Sequence, residues 1–175
     1  MIIIDDFLSK DSTLFKAITA DSLWESSLPY KFMSMDTYSN DVWQKMVKHI
    51  WAETSKFGIL PDYCAGIEYW SGIIHMNGNT DLPWHYDKDE HLHHTTGTIK
   101  TPYIGSVYYA HSEIPDGGFL EIDRGGDIER IQPVPNRLII FDSGTVHRVV
   151  PITSGLRRTL ATNLWVEKPS DENYN

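Results

Sequence analysis

The feature that most constrains this chain is a change of pattern at Pro61. Before it, apolar residues recur at helical spacing: Val42, Trp43, Met46, Val47, Ile50 and Trp51 fall on one face, with Asn40 or Asp41 placed to cap the start and Gly58 to end the run. An earlier helix is expected from Asp11 or Ser12, after an extended entry over Ile2 to Leu8. After Pro61 the chain breaks into short runs rich in Ile, Val, Tyr and Trp, separated by Gly, Pro and Asp. That is the pattern of an antiparallel sandwich or barrel. The expected strands are Gly66 to Met76, Pro83 to Asp87, Ile104 to Ala110, Phe119 to Ile122, Arg137 to Phe141, Val146 to Val150 and Arg157 to Val166. The chain is therefore read as one mainly β domain over 1–175, with helices over about 9–58 leading into a β core over about 62–167. Lys88 to Thr101 is polar and reads as a loop or lid, Asp116-Gly117-Gly118 as a hairpin turn, and Pro169 to Asn175 as a tail ordered only if it docks.

Charge narrows the partners. A formal net charge of -9 speaks against a nucleic-acid backbone as the main partner, because such binding needs clustered Lys and Arg. The single cysteine, Cys64, forms no intramolecular disulfide and fits a reducing compartment, so a cytoplasmic setting is expected. No stretch approaches the ~20 apolar residues of a membrane span, and the opening apolar run is too short for a signal peptide.

The chemistry is concentrated in His85-Tyr86-Asp87. In an extended segment, residues two apart face the same way, so the imidazole and the carboxylate can share one metal ion. His147 is the candidate third ligand, since the apolar run Leu138 to Phe141 delivers a short turn just before it. Two His and one carboxylate on one face of an octahedral ion leave three open positions, the arrangement of non-haem Fe(II) oxygenases. Close behind comes Gly155-Leu156-Arg157-Arg158-Thr159, which brings a cation within reach of the same pocket. A guanidinium pairs a carboxylate in bidentate fashion and fixes both charge and orientation. Strand alternation puts Arg157 on one face with Thr159, Ala161 and Asn163, and Arg158 on the packing face with Leu160, Leu164 and Val166.

As an ordered set, His85-x-Asp87, Tyr108-Tyr109, Gly117 to Ile122, His147 with Pro151, Ser154-Gly155-x-Arg157-x-Thr159 and Trp165 resemble the 2-oxoglutarate and Fe(II)-dependent dioxygenases of the prolyl-hydroxylase-like group. The resemblance covers roughly residues 66 to 166, and the opening Ile-Ile-Asp-Asp-Phe-Leu is similar to that group's entry strand. It implies a double-stranded β-helix, a jelly-roll or cupin-like core, with flanking amino-terminal helices. It implies His85, Asp87 and His147 as iron ligands and Arg157 with Thr159 at the far carboxylate of 2-oxoglutarate. Tyr109 matches a tyrosine that contacts 2-oxoglutarate in some relatives, with Tyr108 as the adjacent alternative. His75 stands where some prolyl hydroxylases have a tyrosine. The cofactors implied are Fe(II), 2-oxoglutarate as co-substrate, and O2; the products are succinate, CO2 and a hydroxylated substrate. Because Asp87 is retained, hydroxylation is expected rather than halogenation. A peptidyl prolyl or a small-molecule substrate is expected, with specificity set by the amino-terminal helices, Lys88 to Thr101 and the turn near Pro115.

Two rivals stand beside this reading: a cupin-like metal enzyme that does not use 2-oxoglutarate, which leaves Arg157 without a role, and a non-enzymatic ligand-binding jelly roll. His91, His93 and His94 form a second cluster, read as a solvated loop or a lid rather than a metal site.

Overall fold

The computed structural model describes residues 1–39, 41–77 and 81–170. The amino-terminal part runs β1 (Ile2–Ile4), α1 (Thr13–Ile18), one 3-10 turn (Asp21–Trp24), β2 (Lys31–Met33) and α2 (Val42–Ser55). Ser12 caps α1, its hydroxyl accepting the Phe15 N–H at 3.1 Å, and Asp41 caps α2 by accepting the Gln44 N–H at 2.8 Å. Asn40, the other expected cap, lies outside the described residues. The buried face of α2 is Trp43, Met46, Val47, Ile50, Trp51 and Thr54, the stripe expected of a helix packed on a sheet.

The β region follows as β3 (Gly66–His75), β4 (Leu82–His85), α3 (Glu90–Thr96), β5 (Ile104–Tyr109), β6 (Asp116–Gly117), β7 (Leu120–Asp123), β8 (Ile128–Ile131), β9 (Leu138–Phe141), β10 (His147–Val149), β11 (Ile152–Ser154) and β12 (Leu156–Trp165). All pairings are antiparallel. A six-stranded sheet is ordered β1-β9-β5-β12-β3-β2 and a four-stranded sheet β4-β10-β7-β8, with β11-β6 as a short ribbon. The last strand, β12, thus lies in the middle of the larger sheet, paired along its length with β3 on one side and with β5 on the other.

Strand alternation sorts the apolar residues into two layers. Tyr108, Leu138, Ile140, Leu160 and Leu164 point behind the large sheet into a cluster with Met46, Val47, Ile50 and Trp51 of α2. Their neighbours Tyr109, Ile139 and Phe141 point forward, meeting Leu120, Ile122 and Ile131 of the small sheet. At about 1.5–3 kcal/mol for each large aliphatic side chain removed from water, this two-layer burial is the main force closing the fold.

Each expected strand is present to within about two residues at either end. Three expectations are corrected. Lys88 to Thr101 is not all loop: Asp89 accepts the Leu92 N–H at 2.9 Å and Gly97 ends the turn at φ 74°, so Glu90–Thr96 closes into a helix. Asp116-Gly117 is a short strand paired with β11 rather than a hairpin turn. Strand β4 stops at His85, leaving Asp87 just past its end, where the Asp87 N–H donates to the Ser143 carbonyl at 2.9 Å. The start of the tail docks: Pro169 is buried and the Ser170 N–H donates to the Asp89 carboxylate at 2.6 Å, while 171–175 lie outside the described residues. Among the described residues, no helix is long and apolar enough to cross a membrane.

Candidate metal centre and its pocket

Strand pairing sets His147 directly opposite His85, with the ring centroids 4.3 Å apart. Each imidazole is oriented by its own chain: Nδ1 of His85 lies 2.8 Å from the Pro83 carbonyl, and Nδ1 of His147 lies 2.8 Å from the Thr145 carbonyl. Donation from Nδ1 to these carbonyls leaves both Nε2 atoms as bare acceptors facing the same point. Asp87 completes the group. Its Oδ1 is 3.8 Å from His85 Nε2 and 3.9 Å from His147 Nε2, while its Oδ2 accepts a hydrogen bond from the Asn163 amide at 3.1 Å.

The three donor atoms lie within 4.8 Å of one another, and among the described residues no other group of three His, Cys, Asp or Glu meets that condition. His91, His93 and His94, on α3, are not part of such a group. Burial, reinforced by the nearby His85, holds the His147 imidazole below its ordinary range despite the pull of Asp87. A neutral imidazole is the form that binds a metal. The donor set fits a divalent ion of oxygen–nitrogen preference: three converging atoms, each with a fixed outer partner, on one side of an open cavity.

That cavity has a volume of about 390 Å³ and lies between the two sheets. Arg157, Thr159, Ala161 and Asn163, alternate residues of β12, all line it. Arg158 faces the other way, pairing with Asp21 at 2.5 Å and lying over the Trp24 ring. The Arg157 side chain is buried, at 4% exposure, and its Nε has no hydrogen-bonding partner. Its guanidinium sits over the Tyr109 ring, 5.2 Å from the centroid, and the Tyr109 hydroxyl is likewise buried without a partner. Arg157 lines the cavity whereas Tyr109 does not, so the Tyr109 hydroxyl lies behind the guanidinium rather than on the cavity wall. A buried guanidinium with an unpartnered Nε at a cavity suits an anion. Tyr108 is engaged elsewhere, donating to Asn136 Oδ1 at 2.9 Å behind the sheet. His75 pairs with Leu156, in opposite parity to Arg157, and does not line the cavity.

Two glycines make room for these groups. A Cβ at Gly72 would stand 2.7 Å from Thr159 Oγ1, and one at Gly118, whose φ is 67°, would stand 3.2 Å from Arg157 Cδ. Further members were not identified from sequence. Strand alternation puts Asn163 on the face of Arg157 without assigning it a role; in the structure its amide holds the Asp87 carboxylate. Tyr30 and Trp70 stack with centroids 4.6 Å apart and border both the main cavity and a second lobe of about 230 Å³ that runs past Glu68, Tyr86 and Glu90. Tyr30 comes from a segment remote in sequence, fastened where the Leu28 N–H donates to Ser71 Oγ at 2.6 Å. No local pattern announces such a contact.

A two-sheet β-helix with a His-Asp-His cluster at one end and a buried guanidinium in the same cavity defines a metal-dependent oxygenase scaffold. The chain belongs to the 2OG-Fe(II) oxygenase superfamily, whose family model matches residues 71–167. A PKHD-type hydroxylase of Acidovorax ebreus is 28% identical over 69 residues, 39% of this chain and 30% of that protein. The chain spans only 30% and 39% of the length of two curated relatives that it matches. In structure, a Pseudomonas putida prolyl-4-hydroxylase superposes with a TM-score of 0.66 at 17% identity, covering 95% of this chain and 88% of that one. A Trichoplax adhaerens prolyl hydroxylase, in complex with a hypoxia inducible factor peptide fragment, gives 0.65 at 15% identity, covering 98% and 87%. At these identities the structural likenesses establish the double-stranded β-helix fold alone.

Proposed function

We propose that the protein is a 2-oxoglutarate-dependent hydroxylase in which His85, Asp87 and His147 hold Fe(II). The observation that carries this reading is the convergence of three donor atoms within 4.8 Å beside a buried Arg157 whose Nε has no hydrogen-bonding partner. Iron, 2-oxoglutarate and O2 together supply the oxidising power for C–H hydroxylation, with release of succinate and CO2. The chain's own residues do the positioning. Arg157 would hold the far carboxylate of 2-oxoglutarate, with Thr159 and the Tyr109 hydroxyl as further polar groups beside it. Asn163 fixes the rotation of the Asp87 carboxylate so that Oδ1 faces the two imidazoles. Phe141, edge-on to His147 at 5.1 Å, and the apolar cluster behind it keep water from that side of the centre.

The substrate enters beside the Tyr30–Trp70 stack, where the second lobe meets the metal ligands His85 and Asp87. A peptidyl prolyl or a small molecule of similar size is the proposed class, supported by the likeness to prolyl hydroxylases. The cupin-like reading without 2-oxoglutarate leaves the buried guanidinium of Arg157 without an anion. Anaerobic titration with Fe(II) and then 2-oxoglutarate tests the proposal. A weak visible charge-transfer band in the wild type that is lost in His147→Ala is the expected result. Absence of the band in an iron-binding wild type would remove 2-oxoglutarate from the scheme.

A further inference from the structure

The outer face of the four-stranded sheet carries a row of side chains that the proposed reaction does not use. Glu121, on β7, is only 2% exposed, and both its oxygens are taken. Oε1 accepts from Arg130 Nε on β8 at 2.6 Å, and Oε2 accepts from Arg148 Nε on β10 at 2.7 Å. The Arg148 guanidinium then lies over the Trp84 ring, 4.6 Å from its centroid. A carboxylate on the third strand is thereby linked through one cation to an aromatic ring on the edge strand β4.

Position gives this row its meaning. Trp84 and Arg148 are the immediate chain neighbours of His85 and His147, and alternation turns them to the opposite face. Strand β4 has four residues, pairs on one side only among the described residues, and its register with β10 shifts between His147 and Val149. Such a short edge strand with an irregular ladder is weakly held by backbone pairing alone. Yet it must present His85 to His147 within a fraction of an ångström for both to reach one ion.

We infer that Glu121, Arg148 and Trp84 form a brace on the outer face that positions His85 against His147 on the inner one. Glu121 anchors the Arg148 plane, and the plane clamps Trp84, fixing the strand that carries His85. Arg148 and Trp84 are positioning residues that act through the two histidines. The inference rests on the reading of His85, Asp87 and His147 as metal ligands.

Arg130 supplies the internal control, because it holds the same carboxylate from the side away from β4. Titration of the intact protein with Co(II), followed by visible absorption, reads the metal site directly, with thermal unfolding measured alongside. Arg148→Ala and Trp84→Ala are expected to weaken Co(II) binding about tenfold or more and to alter the band shape, with Trp84→Phe restoring most of the affinity. Arg130→Ala is expected to lower the unfolding temperature while leaving affinity within about twofold, since it does not touch the edge strand. Equal weakening by Arg130→Ala and Arg148→Ala, or wild-type affinity in Trp84→Ala, would overturn the brace. Should Arg148→Ala fail to fold, the comparison of Trp84→Ala with Trp84→Phe, at a ring 40% exposed, decides the question. A wild type that takes up no Co(II) overturns the ligand assignment itself, a result distinct from loss of the brace.

Discussion

The two sheets are stabilised differently. The six-stranded sheet is covered from behind by α2 and its neighbours, and its rear side chains are mainly buried apolar groups, with the Ser106–Thr162 hydrogen bond and Arg158 as polar exceptions. The four-stranded sheet carries charged and aromatic groups on its outer face, tied by Glu121, Arg130 and Arg148. The division matches the chemistry: Arg157, Thr159 and Asn163 stand on the helix-backed sheet, and His85 and His147 on the thinner one. The sheet with the apolar backing carries the groups proposed for the co-substrate, and the sheet held by ion pairs carries the two histidines. Ordered this way, stability and chemistry should separate by face.

The largest expected effect is at the junction of the two sheets. Asp87→Ala should abolish Fe(II)-dependent turnover while the fold persists, measured as loss of succinate release with an unchanged circular dichroism spectrum; retained activity would remove Asp87 from the centre. Next, Leu160→Ala, behind the large sheet, should cost about 2–5 kcal/mol in denaturant unfolding yet leave metal affinity of the folded protein unchanged. A loss of metal affinity there would show that the two sheets are not separable. Arg157→Ala should raise the 2-oxoglutarate concentration for half-saturation on the order of a hundredfold. Its neighbour Arg158→Ala breaks a pair with the exposed Asp21 and should change that value by about twofold or less. The reverse order would transfer the anchoring role to Arg158.

The smallest effect concerns pH and the small sheet. Burial works to raise the Glu121 carboxyl, but the hydrogen bonds from Arg148 and Arg130 outweigh it and hold it below its ordinary value of 4.5. A lowered native value means that the stabilisation is fully present above the ordinary glutamate range and is lost as pH falls through the native one. Glu121→Gln should therefore unfold at a lower temperature than wild type at neutral pH, with the gap closing in acid. A constant gap across pH would show that packing, not charge, holds the row.

Much of this division was legible in the sequence, and the exceptions share a cause. Arg157 and Arg158 were separable because a strand with polar residues at alternate positions and leucines between them fixes its own parity. Tyr109 and Tyr108 were not, since two identical residues side by side carry no parity signal; packing against α2 and Asn136 made the choice. Helix α3 has no buried residue, so it lacks the apolar periodicity by which a helix is read, and only Asp89 and Gly97 marked its ends. Strands β2 and β8 are three and four residues long and carry Lys, Glu or Arg, so alternation had too little length in which to show. Asn163, Gly72 and Tyr30 owe their places in the pocket to strand pairing and to a distant loop, which no window of sequence contains.

The central place of β12 bears on the order in which this molecule comes into being. Among the described strands, β3 and β5 are joined through β12, which follows both of them in sequence. As the chain leaves the ribosome, the large sheet is two separate pieces until residues near Trp165 emerge. Arg157, Thr159 and Asn163 arrive together with that closing strand. Every pairing it makes spans a long stretch of chain, so closure pays a large loop entropy before any contact returns it, which sets such topologies among the slower folders. The proposed metal ligands His85 and Asp87 are synthesised much earlier and wait, without Asn163 to fix the carboxylate, for the strand that completes their surroundings.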